Sequence, residues 1–131
     1  MSRFKIILVA AIGVFAPLAA LGAAGGAMAQ NATSGAQVFA TKCQACHSVD
    51  RTRGSAMAPN LAGVVGRKAG TLPKFFYSPA MTRSNIVWNA SSLDAFLTAP
   101  QRVVRGTRMS FTGISNAKER ADVIAFLSSK K

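Results

Sequence analysis

Cys43-Gln44-Ala45-Cys46-His47 sets two thiols three positions apart and an imidazole directly after the second. Thiols so spaced can close a disulfide, run dithiol redox chemistry, supply part of a zinc site, or add to the two vinyl groups of a haem. A zinc site needs about four ligands, and the chain has two cysteines and one histidine in all. A redox dithiol belongs in a βαβ context, and no strand-like run precedes this stretch. Covalent haem attachment uses all three residues. Each sulfur takes one vinyl group, two intervening residues let one turn of chain reach both, and His47 falls beneath the iron as proximal ligand.

The other axial position needs a donor too. His47 is the only histidine, which excludes a bis-histidine site. Beyond the leader the thioethers are Met57, Met81 and Met109. Met57 follows His47 too closely to round the ring edge, and Met81 falls in a short helix, where a methionine serves as packing. Met109 lies in the loop Arg105-Gly106-Thr107-Arg108-Met109-Ser110-Phe111, far enough along to close over the distal face. Met109 is the expected ligand; an empty site, Lys68 or Lys74 are the alternatives.

The elements that must position these residues begin after an N-terminal leader. Arg3 and Lys5 precede nineteen uncharged, almost wholly apolar residues, Ile6 to Ala24, and Ala27-Met28-Ala29 has the small-x-small form cut by a signal peptidase. Residues 1–29 read as a signal peptide, with an uncleaved membrane anchor as the competing reading, and residues 30–131 as one domain. Two of the sixteen Lys and Arg fall in the leader and all four acids outside it, leaving a formal charge of +10. The cations are scattered without aromatic interleaving, which fits an acidic protein partner better than nucleic acid.

Ser34 with Gln37 reads as a capping box opening a first helix, on which Gly35, Phe39 and Cys43 share one face. Gly35 there suggests a close helix crossing. Residues 48–76, with Gly54, Pro59, Gly63, Gly66, Gly70 and Pro73, read as loop. Ser78-Pro79 starts a short helix. Ser91 with Asp94 caps another that carries Leu93, Phe96 and Leu97 inward and stops at Pro100. Asn116 with Glu119 opens the last, whose apolar side is Val123, Ile124, Phe126 and Leu127, with Lys130 and Lys131 at its negative end. Nothing alternates as strand. The expected fold class is all-α, small, with long loops around a haem that completes a modest core.

In order along the chain stand Gly35-x3-Phe39, Cys43-Gln44-Ala45-Cys46-His47, Ala58-Pro59-Asn60-Leu61, Gly66-Arg67-Lys68-Ala69-Gly70, Trp88, Gly106-Thr107-Arg108-Met109-Ser110-Phe111 and Glu119-Arg120-Ala121-Asp122. With these pieces the sequence resembles the class I c-type cytochromes, of the mitochondrial cytochrome c and bacterial cytochrome c2 type, from about Gly35 to Leu127. The resemblance implies one covalent haem c with His47 and Met109 as axial ligands. It implies that the Pro59 carbonyl accepts the imidazole N–H of His47 and orients the ring. Arg67, Tyr77 and Trp88 would hold the haem propionates, helped by the hydroxyls of Ser78 and Thr107, and Phe111 would lie near the exposed haem edge. Gly35 and Phe39 would meet Val123 and Phe126 where the first and last helices cross. The sequence also departs from the family. Phe96 stands where a tyrosine is common and Met81 where a polar residue is, which makes the distal pocket drier. Gln37, Ala56, Gln101, Ser115 and Asn116 replace docking lysines, while Lys42, Arg102, Arg105 and Arg108 keep a basic rim.

The expected function is a monomeric, periplasmic one-electron carrier rather than an enzyme. Six-coordinate iron in both oxidation states has little to rearrange, and a thioether ligand raises the potential relative to two histidines. The basic rim would steer the haem edge toward acidic surfaces of redox proteins, with the bc1 complex as donor and an oxidase, reaction centre or reductase as acceptor. No nucleic acid is expected, and membrane contact only if the leader is retained. The alternatives are a dedicated electron acceptor of one periplasmic dehydrogenase and a haem enzyme with an open sixth site. The last lacks a distal histidine to serve as acid–base group.

Overall fold

Asn31, three residues ahead of the expected cap, is where the fold starts. In the computed structural model, which describes residues 30–54 and 57–131, its side chain accepts the backbone N–H groups of Thr33 and Ser34 and opens helix α1, Ala32–Lys42. Ser34 therefore sits inside the first turn rather than capping it. Both residue types can cap; Asn31 prevails because its own N–H also donates to Asp122 Oδ1 at 2.8 Å, tying the start of α1 to the far end of the chain. The expected leader, residues 1–29, and Ala56 lie outside the described residues.

Three short helices follow a long irregular stretch: α2 (Pro79–Arg83), α3 (Ala90–Thr98) and α4 (Pro100–Val103). Ser78 caps α2 with Pro79 at its first position, as its sequence predicts. Helix α3 is capped by Asn89, reciprocally with Ser92, two residues earlier than Ser91 and Asp94 suggested. Asp94 is engaged elsewhere: its Oδ1 accepts Arg120 Nε at 2.7 Å. Helix α3 stops just before Pro100, as expected, and Pro100 then begins α4, a short helix that the sequence did not suggest. Asn116 caps the last helix, α5 (Ala117–Ser128), by accepting the N–H groups of Lys118 and Glu119.

Helices α1 and α5 cross, and α5 also packs on α3. Val123 is fully buried at the crossing, and the rings of Phe39 and Phe126 stand 5.3 Å apart. One core joins these to Trp88, Leu93, Phe96, Leu97, Ile124 and Leu127. Among the described residues there is no strand, only a single antiparallel bridge between Lys68 and Val87, so the all-α expectation holds. The connecting stretch is pinned to the helices at chosen points. Gly70, at φ +74, lies so near α2 that a β-carbon would sit 2.8 Å from the Thr82 α-carbon. The C-terminus is strapped back over the loop, Gly63 N–H donating to the Lys130 carbonyl at 2.6 Å and Arg51 Nε to that of Lys131 at 2.9 Å. No described helix is long and apolar enough to cross a membrane.

Candidate haem-binding site

Helix α1 ends where the thiols begin. The Cys43 N–H still bonds the Phe39 carbonyl, and the N–H groups of Cys46 and His47 both return to the Cys43 carbonyl. That single turn gathers Cys43, Cys46 and His47 at the C-terminal end of α1. Both cysteines are free thiols, Cys43 half-buried and Cys46 exposed. Burial pushes the Cys43 thiol up, partly offset by the charge of Lys42, so it is held as a thiol rather than a thiolate.

His47 Nδ1 lies 2.7 Å from the Pro59 carbonyl oxygen. A carbonyl can only accept, so Nδ1 carries the proton and Nε2 keeps its lone pair. Burial lowers the imidazole pKa, with the Pro59 bond pulling the other way. A neutral ring with a fixed tautomer and one free nitrogen is the form that binds a metal. The Pro59 contact is the one that the resemblance implied.

Met109 is half-buried and packs against the core, as does Phe111. Its loop is fastened at several points. Met109 N–H donates to the Thr107 hydroxyl at 3.3 Å, and Gln101 Nε2 reaches the carbonyls of Thr107 and Met109 at 3.0 and 3.4 Å. Gln101 had figured in the sequence only as a missing lysine; an amide that bonds loop carbonyls leaves no pattern to read. Lys68 and Lys74, the other candidate donors, are both exposed.

Ser78 and Thr107 are buried hydroxyls, 5% and 8% exposed. Each oxygen accepts one backbone N–H, from Met81 and Met109, and neither O–H proton has an acceptor among the described residues. A hydroxyl that has only accepted still has a proton to give, which suits the carboxylates that a haem would bring. Arg67 directs Nη1 to the Ala62 carbonyl and Nη2 to that of Asn60, at 3.2 and 2.9 Å. Burial lowers its pKa while Tyr77 raises it, and burial lifts Tyr77 against the pull of Arg67 and a Leu72 backbone bond. Asn60, which the sequence showed only as part of a motif, holds Arg67 by its carbonyl and the preceding loop by its side chain, which donates to the carbonyls of Asp50 and Arg53. Trp88 is buried with its ring 5.0 Å from that of Phe96. Phe96 and Met81 are both in the core.

The expected docking cations divide. Lys42 pairs with Glu119 at 3.5 Å and is half-exposed. Arg102, on the last turn of α4, and Arg105 are exposed. Arg108 is exposed but anchored, its Nη2 donating to the Phe76 carbonyl at 3.0 Å.

The donor set fits a covalently attached haem: two free thiols and an oriented imidazole on one turn, a half-buried thioether, and two buried hydroxyls with protons to give. Comparison with known proteins agrees. The family model described as cytochrome c matches residues 32–131. The chain is 46% identical over 96 residues to cytochrome c2 of Rhodomicrobium vannielii, covering 73% of this chain and 76% of that one. It is 46% identical over 99 residues to cytochrome c of Tetrahymena pyriformis, covering 76% and 88%, and 40% identical over 97 residues to cytochrome c of Sesamum indicum, covering 74% and 87%. Motif, fold and relatives converge, and the chain belongs to the cytochrome c family, class I, whose members carry one covalently attached haem c and transfer electrons.

Proposed function

We propose that residues 30–131 are an exported, periplasmic one-electron carrier released from a signal peptide at residues 1–29, in which His47 Nε2 and Met109 Sδ would hold the haem iron. The observation that carries this reading is the 2.7 Å contact of His47 Nδ1 with the Pro59 carbonyl, which leaves only Nε2 to bind a metal. When bound, the haem supplies a single centre that takes up and gives back one electron. The chain's own residues do the rest. Cys43 and Cys46 hold the group covalently, and His47 enters as a neutral imidazole whose orientation Pro59 fixes. Met109 brings a soft thioether that favours the reduced state, and Gln101 and Thr107 keep its loop closed. Met81 and Phe96 exclude water on that side, which further disfavours the more highly charged oxidised centre. Arg67, Tyr77, Trp88, Ser78 and Thr107 would receive the propionates.

The partners in this reading are acidic faces of redox proteins, a bc1 complex as donor and an oxidase, reaction centre or reductase as acceptor. Arg102, Arg105 and Arg108 steer the encounter, with Lys42 weakened by its Glu119 pair. Phe111 lies by the exposed edge. The experiment is stopped-flow reduction and oxidation of the purified holoprotein by these partners over a range of salt. Fast reactions that slow as salt rises are the expected result; rates indifferent to salt, or none, would remove the reading. Intact mass of the exported protein checks the leader, with a chain starting at Gln30 expected and one retaining residues 1–29 against it.

A further inference from the structure

Phe76 is 90% exposed, the most exposed large apolar residue described. Its neighbours point elsewhere. Phe75 and Tyr77 pack edge to face at 4.8 Å and Tyr77 rests on the core, so Phe76 alone is turned out of this segment. Nor does it hang on a loose loop. Lys74 immediately before the aromatics holds the left-handed conformation at φ +64, and the Phe76 carbonyl accepts the Arg108 guanidinium at 3.0 Å. That bond joins the segment to the residue next to Met109.

Charge around the ring is one-sided. Lys74, two residues ahead of Phe76 in the chain, and Arg108, bonded to the Phe76 carbonyl, are both exposed. The four acids of the chain are all committed to other cations: Asp50 to Arg53, Asp94 to Arg120, Glu119 to Lys42 and Asp122 to Lys118. None is left to neutralise these two. A fixed aromatic flanked by unneutralised cations has the make-up of an interface anchor, where aromatics and arginine are enriched. A membrane-surface contact would call for a broad apolar face on a helix, and the large apolar side chains of α1, α2, α3 and α5 lie in the core. Resting on the electron-carrier reading above, we infer that Phe76, between Lys74 and Arg108, is the apolar anchor of the docking face and enters a carboxylate-rimmed pocket on the redox partner protein.

The test uses holoprotein of wild type, Phe76→Ala, Arg108→Gln and Val87→Ala, the last a half-exposed valine outside this patch. Affinity for purified bc1 complex and terminal oxidase is measured by calorimetry, and second-order electron-transfer rates by stopped flow across ionic strength. Phe76→Ala should weaken association about ten-fold or more, with an unchanged spectrum and midpoint potential and the same salt slope, since no charge is lost. Arg108→Gln should flatten the slope, and Val87→Ala should behave as wild type. If wild type reacts in a salt-dependent way but Phe76→Ala binds equally well, the anchor is wrong and the carrier reading stands. If wild type does not react with either partner, both fall. Loss of binding to phosphatidylglycerol vesicles in Phe76→Ala, with protein affinity intact, would assign the ring to a membrane and overturn the proposal.

Discussion

The α-carbon of Gly35 rests against the backbone of Asp122: a β-carbon added there would overlap the Asp122 carbonyl oxygen and come within 2.8 Å of Phe126 Cβ. Backbone cannot yield as a side chain can, so Gly35→Ala has to push α1 away from α5. That loosens the Phe39–Phe126 contact and the cover over Val123. We expect a loss of roughly 3 kcal/mol, at the upper end of overpacking costs, read as a lowered denaturant midpoint. A stability unchanged from wild type would mean the helices do not cross this closely.

Met109→Ala removes the thioether and leaves Cys43, Cys46 and His47 in place. The denatured variant should still carry covalent porphyrin, while the weak red-edge absorption of the oxidised protein that reports iron–sulfur bonding should vanish. Its midpoint potential should fall and carbon monoxide should bind readily. Persistence of the band would reassign the ligand.

Asp122 supplies a pH dependence whose sign can be worked out. Its carboxylate accepts Lys118 Nζ at 2.7 Å and the Asn31 N–H at 2.8 Å, and these bonds, Lys118 first, hold its pKa below the usual aspartate value. A depressed folded-state pKa stabilises the protein above the unfolded value of about 3.9 and loses that contribution as pH falls through the folded one. Asp122→Asn should therefore be less stable than wild type at neutral pH, and the gap should close as pH falls below about 4. Thermal unfolding of both from neutral to strongly acid pH measures it; a gap independent of pH would contradict the assignment.

Two ion pairs should differ sharply in worth. Arg120 is 11% exposed and bonds Asp94 at 2.7 Å and the carbonyls of Ile114 and Ser115 at 2.8 and 3.0 Å. Arg120→Ala loses all three bonds and strands the carbonyl of buried Ile114, and should cost about 2 kcal/mol. Lys42 and Glu119 are both about 40% exposed at 3.5 Å, and Lys42→Ala should cost under about 1 kcal/mol. Urea unfolding of the two variants compares them directly.

What could be read from the sequence divides by physical range. The Cys43–His47 turn is a local constraint, and its haem chemistry follows from residue type and spacing. Ser78-Pro79 and Asn116 are local as well, and both cap as their types predict. The starts of α1 and α3 went astray where several capping residues stand close together. Asn31 competes with Ser34, and Asn89 and Ser92 with Ser91, and the choice was made by partners far along the chain or across the cap. Long-range polar bonds left the weakest trace: nothing in the order of residues pairs Asp94 with Arg120, Gln101 with the Met109 loop, or Asn60 with Arg67. Gly35 is the exception, because a glycine amid good helix formers signals a neighbour that needs the room.

The Asn31–Asp122 bond spans 91 residues, so the two ends of the domain meet only once nearly all of it has been synthesised. Closing a loop of that length is slow. A chain crossing a membrane amino end first would thus present Cys43 and Cys46 on an unfinished fold, with the last helix still to arrive. Under the export reading proposed above, the last helix would dock after the Cys43–His47 turn has emerged, as the latch that closes the domain.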